Sequence, residues 1–266
     1  MLRPIFKCHG GKWYTKKWII SQFPKNYAEL TYVEGCGGAA SVLLNKHKSI
    51  KEVYNDADPT VAAIVREFAS ETPKEFIDLI LKTEYKEESF DWAVKVTDSP
   101  SDDQKLFTVA ELVRRRMSRG GLRKSFSWSE RQRGNNFGEV NAWMTYKEQL
   151  WDISERLAFV EVRCMPVSAL VSEFENDKTL FYIDPPYLPE TRQSKNVYSV
   201  EMTEAQHIEL AEKLNKTPAK VILSGYQSQL YAKLYKNWNM QCISIANHSA
   251  QTAIKQKRIE CLWTNY

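Results

Sequence analysis

Short apolar runs closed by turn residues alternate with stretches of helical periodicity along most of this 266-residue chain. The runs predict strands over 31–34, 52–55, 159–163, 180–183, 220–223, 242–245 and 259–263. Helical spacing predicts helices over 12–22, 39–47, 60–69, 203–214 and 229–235. Thr203 with Gln206 three residues on is a capping-box start. Alternation of this kind predicts an α/β fold, a Rossmann-like, mostly parallel sheet with helices on both faces, because parallel neighbours need a crossover long enough to hold a helix. The pattern breaks between about Glu71 and Leu157. Helical patterns over 73–81, 103–116 and 140–158 flank a basic, glycine-containing stretch there. The break predicts an inserted, mainly helical subdomain at 71–157, with 1–70 and 158–266 forming the main domain.

Composition narrows the classes. Apolar residues make up 43% of the chain, enough for a core and too many for disorder. No run reaches the roughly 18 to 20 apolar residues of a membrane span. The N-terminus lacks a signal peptide's apolar stretch and reads as mature protein. Five cysteines (Cys8, Cys36, Cys164, Cys242, Cys261) include no C-x-x-C pair. That pattern predicts reduced thiols in a cytoplasmic protein, with no zinc site and no disulfide framework. Net charge is only +4, yet Arg114, Arg115, Arg116, Arg119, Arg123, Lys124, Arg131 and Arg133 face Glu130 alone, so the rest of the chain carries −3. Phe126, Trp128 and Phe137 interleave with glycines in that stretch. A solvated charge run is the bland explanation. Cations mixed with stacking rings on a flexible backbone suit nucleic acid better.

"TYVEGCGGAASVLL" runs from a strand into a glycine turn. Gly35, Gly37 and Ala40 satisfy G-x-G-x-x-A, and Asp56 follows the next strand, where a carboxylate can accept both ribose hydroxyls. Such a loop serves a dinucleotide, S-adenosylmethionine, or helix packing alone. Glu34 ends the first strand, where its charge repels a pyrophosphate and attracts a sulfonium or ammonium group. Electrostatics therefore favour S-adenosylmethionine. Gly10-Gly11-Lys12 is no Walker loop, because Phe6 stands where a glycine is required and Trp13 where Ser or Thr is.

"TLFYIDPPY" then sets Asp184 just past an apolar strand, at the sheet edge where α/β proteins bind ligands. Proline keeps its carbonyl and lacks an N–H, so Asp184 and Pro185 form an acceptor pair, stiffened by Pro186. Acceptors alone suit an amino group with two N–H donors and leave its lone pair free to attack. Tyr187 adds a flat face for a planar base. A strand-ending turn with a solvated aspartate is the bland alternative.

In this order the motifs resemble the D12 or Dam-type family of DNA adenine-N6 methyltransferases, and the similarity spans nearly the whole chain. "FKCHGGKW", "YVEGCGGAASVLL", "VYNDAD", "FYIDPPY", "KVILSGYQSQLY" and "KRIECLWTNY" carry it. The resemblance implies the S-adenosylmethionine-dependent methyltransferase fold, with target recognition in the insertion. It implies that Cys8, Lys12, Glu34, Gly35, Cys36, Gly37, Gly38, Asp56 and Asp184 serve the cofactor. Asp184, Pro185, Pro186 and Tyr187 would hold an adenine turned out of double-stranded DNA, and the eight cations of 114–133 would bind that DNA. No membrane and no obligate protein partner is implied. Two departures stand out: Cys8 replaces an aromatic and Cys36 a phenylalanine, which implies weaker cofactor binding or a substitute ring from Phe6 or Trp13. The competing functions are cytosine-N4 methylation, nicotinamide-dependent oxidation through the glycine loop, and silent DNA binding. Cytosine-C5 chemistry is disfavoured, since no Pro-Cys pair supplies its nucleophile. His9, His47, His207 and His248 share no ligand spacing and are expected to be non-catalytic, and Trp13 and Trp18 to be core. Tyr226 is expected to line the pocket or pack, and Tyr198 to cover the base or lie exposed.

Overall fold

The computed structural model describes residues 1–8, 10–99, 102–129, 132–133, 136–192, 199–246 and 257–266, with only the backbone at 133, 136, 245–246 and 257–258. His9, Arg131, Tyr198, His248 and the side chain of Arg133 lie outside what is described. Packing divides the chain into two compact units. One comprises Met1–Ile20, Gly38–His47 and Asp58–Cys164, and the other Ser21–Gly37, Lys48–Ala57 and Met165–Tyr266.

The second unit holds strands β1 (Thr31–Glu34), β2 (Lys51–Asn55), β6 (Thr179–Ile183), β7 (Lys220–Gly225), β8 (Asn239–Ala246) and β9 (Lys257–Thr264), numbered along the chain. Their order is β2-β1-β6-β7-β9-β8. β2, β1, β6 and β7 run parallel, and β9 enters antiparallel to both β7 and β8. The sheet is mostly parallel, as expected. Burial explains the strand residues: all five of β6, Thr-Leu-Phe-Tyr-Ile, are buried, the continuous apolar run of a strand covered on both sides. Helices α8 (Val167–Glu173), α9 (Glu204–Leu214) and α10 (Gln229–Leu234) belong to this unit. Val167, Leu170, Leu210, Leu214 and Tyr231 from these helices join Val33, Phe181, Ile183, Val221, Leu223 and Trp263 of the strands in one core. The α9 start is the expected capping box: the Thr203 side chain takes the Gln206 N–H, and the Gln206 side chain takes the Thr203 N–H.

The first unit is mainly helical: α1 (Lys16–Ser21, reaching one residue beyond it), α2 (Pro59–Ala69), α3 (Lys74–Lys82), α4 (Glu87–Thr97), α5 (Gln104–Met117), α6 (Gly138–Lys147) and α7 (Leu150–Leu157). A two-residue hairpin, β3 (Gln132–Arg133) with β4 (Asn136–Phe137), and strand β5 (Val160–Arg163) complete it. Asp58 caps α2, accepting the Thr60 N–H at 2.9 Å, with Pro59 opening the helix.

Four expectations need correction. The helix expected over 39–47 is a run of turns, because Ala40 takes φ 55° and Asn45 is drawn into bonds with both backbone groups of Leu2. The helix expected over 12–22 begins at Lys16, after a turn at Lys12–Thr15. The long helix expected over 140–158 breaks after Lys147, and α4 and α8 went unseen because β-branched and aromatic residues blur their period. Cys242 and Cys261 are disulfide-bonded, while Cys8, Cys36 and Cys164 form no disulfide. The two are direct partners across β8 and β9, with Cα atoms 4.1 Å apart, a proximity that linear spacing does not reveal.

Candidate active site

Parallel register brings the carboxyl ends of β1, β2, β6 and β7 to one edge. Glu34 lies opposite both Tyr54 and Tyr182, and Ile183 opposite Leu223, so Asp56, Asp184 and Tyr226 follow directly from neighbouring strand ends. The glycine turn leaving β1 is fastened from beneath. Gly35 N–H donates to the Tyr182 carbonyl at 2.8 Å and Gly37 N–H to the Asn55 carbonyl at 2.9 Å. Asn55, fully buried, donates through Nδ2 to the carbonyls of Gly35 at 2.8 Å and Met165 at 3.0 Å, and its Oδ1 accepts the Met165 N–H at 3.0 Å. A Cβ on Gly37 would lie 2.1 Å from the Tyr54 ring, so the turn passes flat over that ring only as glycine.

This edge is acidic. Glu34 is 1% exposed, and its carboxylate accepts the Tyr32 hydroxyl at 2.5 Å. Burial, and then the charges of Asp56 and Asp184, push the Cys36 thiol well above its ordinary range and keep it protonated. Burial, then Asp184 and Glu260, push the Tyr187 phenol up in the same way. Cys36, Tyr187 and Tyr231 thus all sense the Asp184 charge. The set is matched to a cation, because anions near one another in a low-dielectric edge repel a pyrophosphate and attract positive charge.

The Asp184–Tyr187 turn itself is anchored. Asp184 is half-buried just past β6, and Pro185 is buried. Tyr187 is 5% exposed, its hydroxyl donates to the Glu260 carboxylate, and its ring meets Tyr226 edge-on with centroids 4.6 Å apart. Tyr187, expected to offer a flat face to a base, is therefore nearly buried before any base is bound, with Tyr226, itself half-buried, packed edge-on against it. Sequence reasoning missed Glu260, although a lone acid inside the apolar strand "RIECLW" is the signal that finds it. It also missed Asn55 and Tyr32. His207 is buried, bonds the Tyr231 hydroxyl at 3.1 Å, and is pushed down to about 4, chiefly by burial, which leaves it neutral.

In the other unit, Cys8 lies beside Gly11 and Gly38: a Cβ on Gly11 would sit 3.2 Å from its Sγ, and one on Gly38 3.9 Å. Lys12 is buried, with Nζ donating to the Gly10 carbonyl at 2.8 Å.

The basic segment divides sharply. Arg115 is buried, donating to Asp58 at 3.0 Å and lying 3.4 Å from Glu111. Arg116 is buried, reaching the Pro4 carbonyl at 3.0 Å and lying 3.6 Å over the Tyr146 ring. Arg114 bonds Thr97, Asp98 and the Arg123 carbonyl, and Arg123 pairs with Glu111 at 2.7 Å. Arg119 and Lys124 are exposed. Nearby Phe126, Trp128 and Phe137 form a ring series, with Trp128 45% exposed.

Among known proteins, the chain is 25% identical to the type II methyltransferase M.MjaIII of Methanocaldococcus jannaschii, over 90% of each chain. It is 25% identical to the modification methylase LlaI of Lactococcus lactis, over 93% of this chain and 41% of that one. A solved rRNA methyltransferase, aviRa of Streptomyces viridochromogenes, aligns at 12% identity and a TM-score of 0.36, over 93% of this chain and 80% of that one. The family described as D12 class N6 adenine-specific DNA methyltransferase matches residues 9–254. With its mostly parallel sheet and its acidic strand-end motif, the chain belongs to that family and is a site-specific DNA adenine methyltransferase.

Proposed function

We propose that the chain turns an adenine out of double-stranded DNA and holds its N6 amine between Asp184 and the Pro185 carbonyl for methylation by S-adenosylmethionine. The observation that carries this is the acceptor pair itself: a half-buried carboxylate beside a buried proline, at the end of the all-buried strand β6. An amine in duplex DNA is unreachable inside the stack, so the base must leave it.

The residues at the edge fit the cofactor. Glu34, buried and oriented by Tyr32, and Asp56, after β2, are acceptors suited to an ammonium group and ribose hydroxyls, and the Gly35–Gly37 turn leaves backbone close to the ligand. When bound, S-adenosylmethionine supplies an electrophilic methyl on a sulfonium. Asp184 and Pro185 draw the two N–H groups of N6 and leave its lone pair aimed away from them. After transfer the amine sheds one proton, for which the Asp184 carboxylate is the adjoining base. Positioning accounts for most of the acceleration. The assignment of Cys8, Lys12 and Gly38 to the same cofactor rests on the sequence motif.

Residues 71–157 form the target-recognition part in this proposal. Arg119 and Lys124 contact the DNA backbone, Trp128 stacks or wedges at the bases, and Arg114, Arg115, Arg116 and Arg123 brace the element that carries them. Among the described residues no helix is long and apolar enough to cross a membrane. The test is transfer of label from S-adenosylmethionine to mixed-sequence duplex DNA, followed by digestion to nucleosides. The expected product is N6-methyladenine; label on cytosine N4 alone, or none on DNA, contradicts the proposal.

A further inference from the structure

We infer that Glu260 is a positioning residue for methyl transfer: through its hydrogen bond with the Tyr187 hydroxyl it fixes the ring of the catalytic tyrosine and enriches that ring's electron density. The inference rests on the proposed function, with Tyr187 beside the flipped adenine as the family motif implies.

Glu260 lies on β9, one residue beyond the last pair of β9 with β7, Gly225 with Cys261. That places a carboxylate from the antiparallel strand beside the loop that follows β6. It is 6% exposed and accepts the Tyr187 hydroxyl. A carboxylate buried in a strand of Ile, Cys, Leu and Trp costs desolvation, and apolar residues of similar size pack there without that cost. Its presence calls for a function the core does not supply. Tyr226 constrains the same ring from another direction, edge-on at 4.6 Å. Two contacts thus restrict Tyr187: one at the hydroxyl, one at the ring.

The chemistry gives the bond its use. N6 gains positive charge while the new N–C bond forms from its lone pair, and loses that charge when an N–H proton leaves. An aromatic face attracts such charge, and the attraction grows with electron density in the ring. A phenol donating to a carboxylate is polarised towards oxyanion character, which raises that density while the proton stays on the oxygen. The charges of Asp184 and Glu260, added to burial, keep the phenol protonated, so the bond persists across the working pH range. Glu260 therefore acts on the transition state through Tyr187, while the amine itself is held by Asp184 and Pro185.

The test uses the full chain and its Glu260→Ala, Glu260→Gln, Tyr187→Phe and Tyr187→Phe/Glu260→Ala variants. kcat and KM for duplex DNA are measured at saturating S-adenosylmethionine and normalised to the folded fraction from urea unfolding. Glu260→Ala is expected to lower kcat about 100-fold at unchanged KM, the scale of a misplaced reacting partner. Glu260→Gln, which accepts the bond without the charge, is expected to recover about a tenth of wild-type kcat, and it serves as the readout if the alanine variant does not fold. In the Tyr187→Phe background, removing Glu260 is expected to change kcat less than about twofold. A full loss persisting in that background, or an unchanged kcat in folded Glu260→Ala and Glu260→Gln, overturns the role. A wild-type chain that forms no N6-methyladenine overturns the proposed function and this role together; an active wild type with multiplicative variants overturns the role alone.

Discussion

The sheet edge of one unit and the basic segment of the other both concentrate like charges, and they handle them in opposite ways. At the edge, Glu34, Asp56, Asp184 and Glu260 come from separate strands or the residues just past them, so acids far apart in sequence collect at one place. In the basic segment, α5 and the turn after it spend most of their cations inward. Arg115 and Arg116 are buried, and Glu111, 1% exposed, sits between Arg115 and Arg123. Charge at a strand end is placed by topology, so its address follows from the strand. On a helix, the face decides, and a run of consecutive arginines covers every face.

Breaking the edge is expected to have the largest effect. Asp184→Ala removes the carboxylate proposed to hold the reacting amine, and methylation is expected to fall on the order of 10⁴-fold while duplex affinity, read by fluorescence anisotropy, stays near wild type. Equal losses in both would place Asp184 in DNA binding instead. Next comes the inward half of the basic segment. Arg115→Ala takes the cation away from buried Asp58 and leaves buried Glu111 with Arg123 alone, and urea unfolding is expected to show a loss of about 3–5 kcal/mol. A change within about 0.5 kcal/mol, the range of surface sites, would mean that Arg115 faces solvent in solution.

Much of this was legible beforehand. β1 matches its expected bounds, and β6 and β7 differ only at their ends, because buried strands read as unbroken apolar runs between turn residues. Asp184 and Asp56 were legible for the same reason: each follows such a run. The capping box at Thr203 announced α9 chemically. Glu260 and Asn55 were not singled out, because each gains its role from a partner far along the chain, Tyr187 and Met165 respectively. The fates of Arg114 to Arg123 were hidden because burial of an arginine depends on partners, such as Asp58 for Arg115 or the Tyr146 ring for Arg116, that only packing brings beside it.

Smaller effects sharpen the contrast. His207, beside Pro186, is held at about 4 against an ordinary 6.5 by burial. The unfolded chain therefore takes up its proton first. The stability from keeping His207 neutral is fully present above about 6.5 and is lost as pH falls from there towards about 4. Urea midpoints across that window are expected to drop for wild type and to flatten for His207→Gln; equal slopes would contradict burial of a neutral imidazole. Smallest is the outward half of the basic segment. Lys124→Ala and Arg119→Ala are each expected to leave stability within about 0.5 kcal/mol and to reduce the salt slope of DNA binding by about 1. An unchanged slope in both would remove these two from the phosphate contacts.

The central claim, that Asp184 and the Pro185 carbonyl grip an exocyclic amine, is tested most directly by a structure of the chain with duplex DNA and a non-transferring S-adenosylmethionine analogue. The account predicts an adenine outside the helix, with N6 within hydrogen-bond distance of both acceptors and the ring beside Tyr187. An adenine still paired in the duplex, or one turned out with N6 directed away from Asp184, would contradict it.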